Sequence, residues 1–425
     1  MDDLQAAVDR AADGDTVVLL PGEHRAPVRI ARAIVLAGMP GAVLTGARAG
    51  SVVTLQAPGA MVRGLTITGS GFNLETMDSG VFVEKTATGA IVENNRIEGN
   101  LFGVYLHGAP DALVRGNEIV GLRQGRVSET GNGISLWNAP GAKIIDNDVR
   151  FGRDGIFVIT SRRNVISGNR FRDLRFAVHY MYGNEGEITD NVSLGNTIGY
   201  ALMYSQQLVV RGNLSDRDRD QGMLFNYTNG AQISGNLVKG GALPAARWTT
   251  PRGDDGHAVA PVAAGATGTG LRTAPDRCVF VYNANANRFS GNWFEGCETG
   301  IHFTAGSERN QISGNAFIGN RNQVKYVGTR LLDWSVNGRG NYWSDNPAFD
   351  LNGDGIADTA YRPNDLIDTV LWTAPQAKLL VNSPAVQVIR WAQSQFPALL
   401  PGGVVDSRPL IAPPPRPAIA FRSGS

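Results

Sequence analysis

The stretch "NVISGNRFRDLRFAVHYMYGNEGEITDN", Asn164–Asn191, holds one full period of a repeat. A punctuation mark occurs in it twice, as Ile166-Ser167-Gly168-Asn169 and Ile188-Thr189-Asp190-Asn191. The mark recurs along the chain with its asparagine at Asn95, Asn117, Asn147, Asn169, Asn191, Asn213, Asn236, Asn292, Asn315 and Asn341. Most spacings are 22 or 23 residues, and three are longer, 26, 30 and 56. Between marks lies a second short apolar segment, as in "GVYLHG", "GISLWN", "GIFVIT", "AVHYMY", "YALMYS" and "GMLFNY".

A unit of this length, cut into strands of about four residues, cannot bury its own apolar face, but stacked units can. Each rung then pairs in parallel with the next, about 4.8 Å away. Glycine and asparagine suit the left-handed backbone of tight corners. The predicted fold is all-β, a right-handed parallel β-helix over residues 1–344. A leucine-rich solenoid has a similar period, but its L-x-x-L-x-L pattern is missing. Solenoid ends need caps. Leu4, Ala7, Val8 and Ala11 form an amphipathic helical stripe that would close the first coil. The segment of about 242–276 is rich in Gly, Ala, Pro and Thr and reads as a loop inserted at the 56-residue gap.

Strand alternation assigns side chains to faces. Val104/Leu106, Ile134/Leu136, Ile156/Val158 and Val178/Tyr180, with Leu202 and Leu224, make an aliphatic inner set. Tyr105, His107, Ser135, Trp137, Phe157, Ile159, His179, Met181, Ala201, Met203, Met223 and Phe225 make a mixed set assigned outside. An apolar outer face of this extent is either covered by the chain's own C-terminal segment or marks a partner surface. Trp137, Phe157 and Phe225 are its candidate docking residues. His107, His179, Met181, Met203 and Met223 are candidate metal ligands, because thioether and imidazole without carboxylate select Cu(I) over hard cations. Cys278 and Cys297 are 19 residues apart, close to one coil. Adjacent rungs would bring them into bridging distance. A disulfide, a buried free pair and a thiolate site with His302 all remain open.

After Asn341 the period stops. In "FDLNGDGIADTAYRP", over the Asp-rich segment 345–363, Asp350, Asn352, Asp354 and Asp358 stand at positions 1, 3, 5 and 9 of a calcium-type loop, with Gly355 at 6. The position-12 carboxylate is missing, with Tyr361 there instead, so the choice is a shortened calcium turn or an ion-free Asx-rich turn. Residues 364–425 form the last unit, a helical docking segment and tail. Ser383-Pro384 is an N-cap and first-turn signature. Trp372, Leu379, Leu380, Ile389, Trp391 and Phe396 supply apolar bulk outside a solenoid that already has its core. Their two roles are a cap on the last coil or a dock for a membrane protein.

The 425 residues carry a net charge near +1, which gives no reason to expect nucleic acid. No run of about 18 apolar residues exists to span a membrane. No phosphate-cradling G-x-x-x-x-G-K-[ST] occurs, so no nucleotide is expected. No export signal is seen, and Met1-Asp2-Asp3-Leu4 reads as the start of a trimmed mature chain.

"HYMY", "ALMYS", "CVFVYNANANRFSGNWFEGCETGIHFTAGSERNQISGNAFIGNRNQVKYVG", "GRGNYWSDNPAFDLNGDGIADTAYRPNDLID" and "NSPAVQVIRWAQSQFPALLPGGVVDSRPL" closely resemble the NosD family over nearly the whole chain. These are periplasmic β-helical accessory proteins of nitrous oxide reductase maturation. The resemblance implies a periplasmic location and a place on an ABC transporter made of a membrane subunit and a cytoplasmic ATPase. It also implies a role in building the reductase's copper-sulfur centre, with a copper-chaperone lipoprotein and the reductase as partners. Trp372 to Leu400 would dock the membrane subunit, and the Met/His face would meet the chaperone or the reductase. No catalytic residue is expected. The alternative is a carbohydrate-active β-helix enzyme, whose chemistry needs two carboxyls flanking one bond. Asp154, Asp173, Asp216, Asp218 and Asp220 are its candidates, but "SDRDRD" at Ser215–Asp220 reads as a solvated, self-paired corner.

Overall fold

The computed structural model describes residues 4–123, 126–244, 271–274, 277–364, 383–395 and 402–419. Each repeat forms three short strands, such as Val165–Ser167, Arg170–Arg172 and Phe176–Met181. Each strand pairs in parallel with its counterpart one repeat on, giving three sheets of 12, 13 and 12 strands. The chain is a parallel β-helix of about 13 turns.

The punctuation mark builds the corner between the first and second sheets. The residue before each ladder asparagine from Asn95 to Asn315 takes a left-handed backbone, with φ of 69° at Gly168, 56° at Asp190 and 67° at Gly212. A β-branched residue is strained there, whereas Gly and Asp tolerate it. The asparagine is thereby turned inward. Asn169 donates Nδ2 to Ile144 O at 2.8 Å and to Asn191 Oδ1 at 3.0 Å. Its backbone N–H donates to the same Oδ1. The pattern passes from rung to rung, from Asn95 onto Asn117 and finally from Asn315 onto Asn341. The buried polar column therefore satisfies itself.

The third sheet carries the longest strands. Val104, Leu106, Ile134, Leu136, Ile156, Val158, Val178, Tyr180 and Leu202 all point into the core and are fully buried. The expected alternation fails at the next rung. Tyr200 pairs with Met223 and Leu202 with Phe225, so Met223 and Phe225 are fully buried core residues rather than outer ones. Leu224 instead joins Ile198 and Ala201 in an outer cluster with Phe176, Met203 and Phe280. The cause is one extra residue. Leu194 pairs with Asp216, 22 positions on, whereas Ile198 pairs with Gln221, 23 on. The corner Arg217–Asp220 has four residues where Gly195–Thr197 has three, and a one-residue slip inverts every side chain that follows.

The corner between the second and third sheets also carries the long insertions. Gly241–Pro244 and Leu271–Ala274 pair antiparallel as the stem of the inserted loop, whose other residues, His257 among them, lie outside the described set. Just after this insertion Cys278 and Cys297 are joined in a disulfide, with Cα atoms 5.6 Å apart. It ties the rung that follows the insertion to the next corner. His302 lies on the outer face of its sheet between Phe280 and Lys325, so the thiolate alternative does not hold.

Both ends are capped. The helix Leu4–Arg10 buries Val8 over the first coil, with Leu4 and Ala11 packed beside it. At the other end the boundary drawn at residue 364 cuts through one structural unit. Gly403–Val405 pairs in parallel with Leu331–Asp333, and Leu410 bridges to Tyr342 and Ile356. Asp406 takes the next place in the asparagine ladder. The tail then runs back over the outer face of the second sheet. Arg416 pairs with Glu295 at 2.6 Å and lies over the Trp293 ring, and Ile419 packs on Val192, Leu214 and Leu237. Chain-own cover thus exists, on the second sheet.

Candidate functional site on the third sheet

Two long columns run up the outer face of the third sheet, beside the first outward residues of its strands, Asp154, Phe176 and Ile198. The outermost runs His107, Trp137, Ile159, Met181, Met203, Asn226 and Tyr282 through directly paired positions. The middle column runs Tyr105, Ser135, Phe157, His179, Ala201, Leu224, Phe280, His302 and Lys325. Met181 therefore sits beside Met203 on adjacent rungs. His179 stands two residues before Met181 on the same strand face.

The five candidate copper ligands do not form one group. His107 lies three rungs below Met181, about 14 Å at the usual rung spacing. It stacks on Trp137 with centroids 4.6 Å apart and borders Phe82 and Tyr105. Met223 is inside. His179, Met181 and Met203 remain together, and both methionines are half-buried. Among the described residues no group of three or more His, Cys, Asp or Glu side chains is placed to hold a metal. The donors that face this neighbourhood are two thioethers and one imidazole, a set that fits Cu(I) and not a hard cation.

The neighbouring carboxylate is committed. Asp154 is fully buried and receives Arg175 Nε on Oδ1 at 2.8 Å and Arg175 Nη2 on Oδ2 at 2.7 Å. His179 Nδ1 lies 3.1 Å from Oδ2. Burial pushes the Asp154 carboxyl up, but the bonds to His179 and Arg175 and the charge on Arg175 outweigh it and hold the group down to about 2. Phe157 and Phe176 flank the His179 ring, each centroid 4.9 Å away.

Tyr182, Tyr204 and Tyr227 follow the outermost column. Their rings stack at 5.0 and 5.1 Å, half exposed, on left-handed backbone with φ near 50°. Bulky side chains seldom accept that conformation. The repeated Met-Tyr pair in the sequence was the available signal for this ladder. Of the docking residues, Trp137 is exposed, Phe157 half-buried and Phe225 in the core. Ile389 and Trp391 are exposed on the helix Pro384–Gln395, which Ser383 caps through the Val386 N–H. Trp372, Leu379, Leu380 and Phe396 lie outside the described residues.

In the Asp-rich turn, Asp350 accepts from Gly353 and Gly355 N–H, Asp354 from Ile356, and Asp358 from Leu351. These carboxylates and the Asn352 carbonyl, which accepts from Asp354, already close the turn on themselves.

The acidic corner departs from its reading as solvated. Asp216 pairs with Arg217, as expected, but Asp218 and Arg219 are buried. Asp218 stands at the corner between the second and third sheets, one rung above Asn196. Its Oδ1 accepts from Asn196 N–H at 2.7 Å, and Oδ2 accepts from Ser193 and Ser215 hydroxyls. Burial pushes this carboxyl up to about 7, against the pull of those three bonds. A carboxyl raised in the folded state stabilises fully below its unfolded value, near 3.8, and loses that stability as pH rises through about 7. Asp218→Asn is therefore expected to be more stable than the parent at pH 8, by an amount on the order of a few kcal/mol. The advantage should shrink steadily towards pH 4. Urea midpoints of both proteins across that range check it, and parallel pH curves would refute it.

A family model described as NosD, periplasmic copper-binding protein, matches residues 122–348. The "Probable ABC transporter binding protein NosD" of Stutzerimonas stutzeri is 43% identical over 403 residues, 95% of this chain and 88% of that one. The chain belongs to the NosD family. The protein of the same description from Pseudomonas aeruginosa is 41% identical over 411 residues, 96% of this chain and 91% of that one. The family is periplasmic, and its curated relatives are named as binding proteins. Among solved structures, the Dettilon tailspike protein is similar with a TM-score of 0.53 at 12% identity, covering 76% of this chain and 63% of that one. At that identity the likeness is one of fold alone. Among the described residues no helix is long and apolar enough to cross a membrane.

Proposed function

We propose that this protein is a periplasmic accessory subunit of an ABC transporter complex that assembles the copper-sulfur centre of nitrous oxide reductase. Its partners are the transporter's membrane subunit, with its cytoplasmic ATPase, a copper-chaperone lipoprotein and the reductase. It binds and passes Cu(I) as cargo and does not catalyse. The observation that carries this reading is the placement of Met181 and Met203 on adjacent rungs with His179 beside them. His179 is buried and the two methionines are half-buried at the outer sheet face; three soft donors gathered there suit a transient Cu(I) contact, whereas a closed cage would retain the ion. The enzyme reading finds no support in Asp154, Asp216 or Asp218, each already engaged by Arg175, Arg217 or the two serines.

Cells making the triple variant His179→Ala/Met181→Ala/Met203→Ala are expected to produce reductase without the visible absorption of its copper-sulfur centre. A fully assembled centre would remove copper handling from this face. Docking is tested separately on the helix Pro384–Gln395. Val388 and Trp391 are 62% and 64% exposed, an unusual level for apolar side chains on an amphipathic helix. Val388→Asp with Trp391→Ala is expected to leave the melting temperature unchanged and to abolish co-purification with the membrane subunit. Retained co-purification would place the interface elsewhere.

A further inference from the structure

A histidine offers a soft metal only the nitrogen that carries no proton, and the proton's place is set by what the other nitrogen meets. For His179 that neighbour is Asp154. The aspartate lies one rung below, at the first outward position of the strand Asp154–Ile159, and reaches diagonally to Nδ1. Arg175 is a permanent donor and binds both carboxylate oxygens, so the carboxylate cannot turn away. An unprotonated Nδ1 would set a lone pair against a carboxylate oxygen. The bond at Nδ1 thus requires a proton on Nδ1, and in the neutral ring Nε2 then keeps its lone pair. Nε2 makes no hydrogen bond among the described residues.

The same column contains an internal contrast. His302 occupies the equivalent position four rungs above His179 in the middle column's run through Phe280. The residue under it, at the place of Asp154, is Arg277. His302 Nδ1 is buried with no hydrogen-bond partner among the described residues, and Phe280 packs on the ring at 4.8 Å. One histidine of this face has a carboxylate and an arginine assembled behind it, and the other has a cation in that place. Packing alone would not call for the difference, since both rings lie against phenylalanine.

We propose that Asp154, held by Arg175, is a positioning residue that fixes His179 in the Nδ1–H tautomer and so makes Nε2 the imidazole donor beside Met181 and Met203. The inference rests on the copper reading above. It adds that the donor is prepared before any metal arrives.

The test starts with the metal-free protein, labelled with 15N-histidine, in long-range 1H–15N spectra at a pH where His179 is neutral. The expected result is a single Nδ1–H tautomer for His179. A dominant Nε2–H form would overturn the inference, whatever any variant does. The second arm is anaerobic Cu(I) titration against a competing chelator. Asp154→Asn keeps the shape of the side chain but can donate to Nδ1 and drive the proton onto Nε2. It is expected to weaken Cu(I) binding about 10- to 100-fold, with Met181→Ala as the comparison. If Asp154→Asn binds as tightly as the parent while Met181→Ala binds less, the positioning role fails and the copper reading stands. If neither Met181→Ala nor His179→Ala alters binding, the copper reading fails and takes the inference with it.

Discussion

Asp406→Ala is expected to destabilise the protein by on the order of 3 to 6 kcal/mol, although the residue is 65 positions beyond the last ladder asparagine. Asp406 is fully buried and ends the asparagine column. Its Oδ2 accepts from the Asn341 backbone at 2.6 Å and from Trp343 Nε1 at 2.8 Å, and its Oδ1 accepts from Arg408 N–H. Alanine leaves these donors without an acceptor, and each buried donor left so costs about 1–3 kcal/mol. Trp343 is itself the floor of the cap, stacked on Phe317 with centroids 4.3 Å apart. Asp406→Asn keeps a carbonyl oxygen in the same place, as every other rung does, and should hold most of the stability. Burial pushes the Asp406 carboxyl above its ordinary value against the pull of its bonds, so its stabilisation declines as pH rises. The asparagine variant should therefore compare best with the parent at high pH. Denaturant midpoints followed by tryptophan fluorescence check this. An alanine variant with the parent's midpoint would show that the ladder does not need its terminal acceptor.

The same residue marks a limit of the sequence. The ladder was legible because Gly-Asn and Asp-Asn recur at one spacing and because the left-handed corner favours those residues. Asp406 follows a segment with no period, so nothing local ties it to Asn341. Long-range closure of this kind leaves no repeat to detect. The tail over the second sheet is a different case. The residues just after the ladder asparagines read Arg96, Glu118, Asp148, Arg170, then Val192, Leu214, Leu237 and Trp293. Charged residues give way to apolar ones in a single column that strand alternation places outside. That switch was a readable sign that something covers the later rungs, and Arg416 and Ile419 are what the structure puts there. The candidate site was legible in part. Counting from the corners placed Met181 under Met203. The Asp154–Arg175–His179 group was not legible, because it joins a strand, a corner and the next strand through residues whose spacing carries no motif.

The copper face and the core can be told apart by exchanging which methionine is removed. Met223→Ala is expected to cost about 2–5 kcal/mol, as for other fully buried large apolar residues, and to leave Cu(I) affinity at the parent value. Met203→Ala, whose side chain is half-buried on the outer face, should cost far less stability and should lower Cu(I) affinity. The contrast follows from the four-residue corner Arg217–Asp220. The added residue carries the chain one position further before Gln221, so Met223 continues the column of Tyr200 and Val178 while Asn226 continues that of Met203 and Met181. Phe225, packed edge-on against Phe289 at 5.4 Å, shares the fate of Met223. Its alanine variant should cost about 3–5 kcal/mol. Paired urea melts and chelator titrations on the Met223 and Met203 variants decide the matter. Loss of copper affinity without loss of stability at Met223 would mean that Met223 points outward, and the middle column would then hold a thioether above Ala201 and His179.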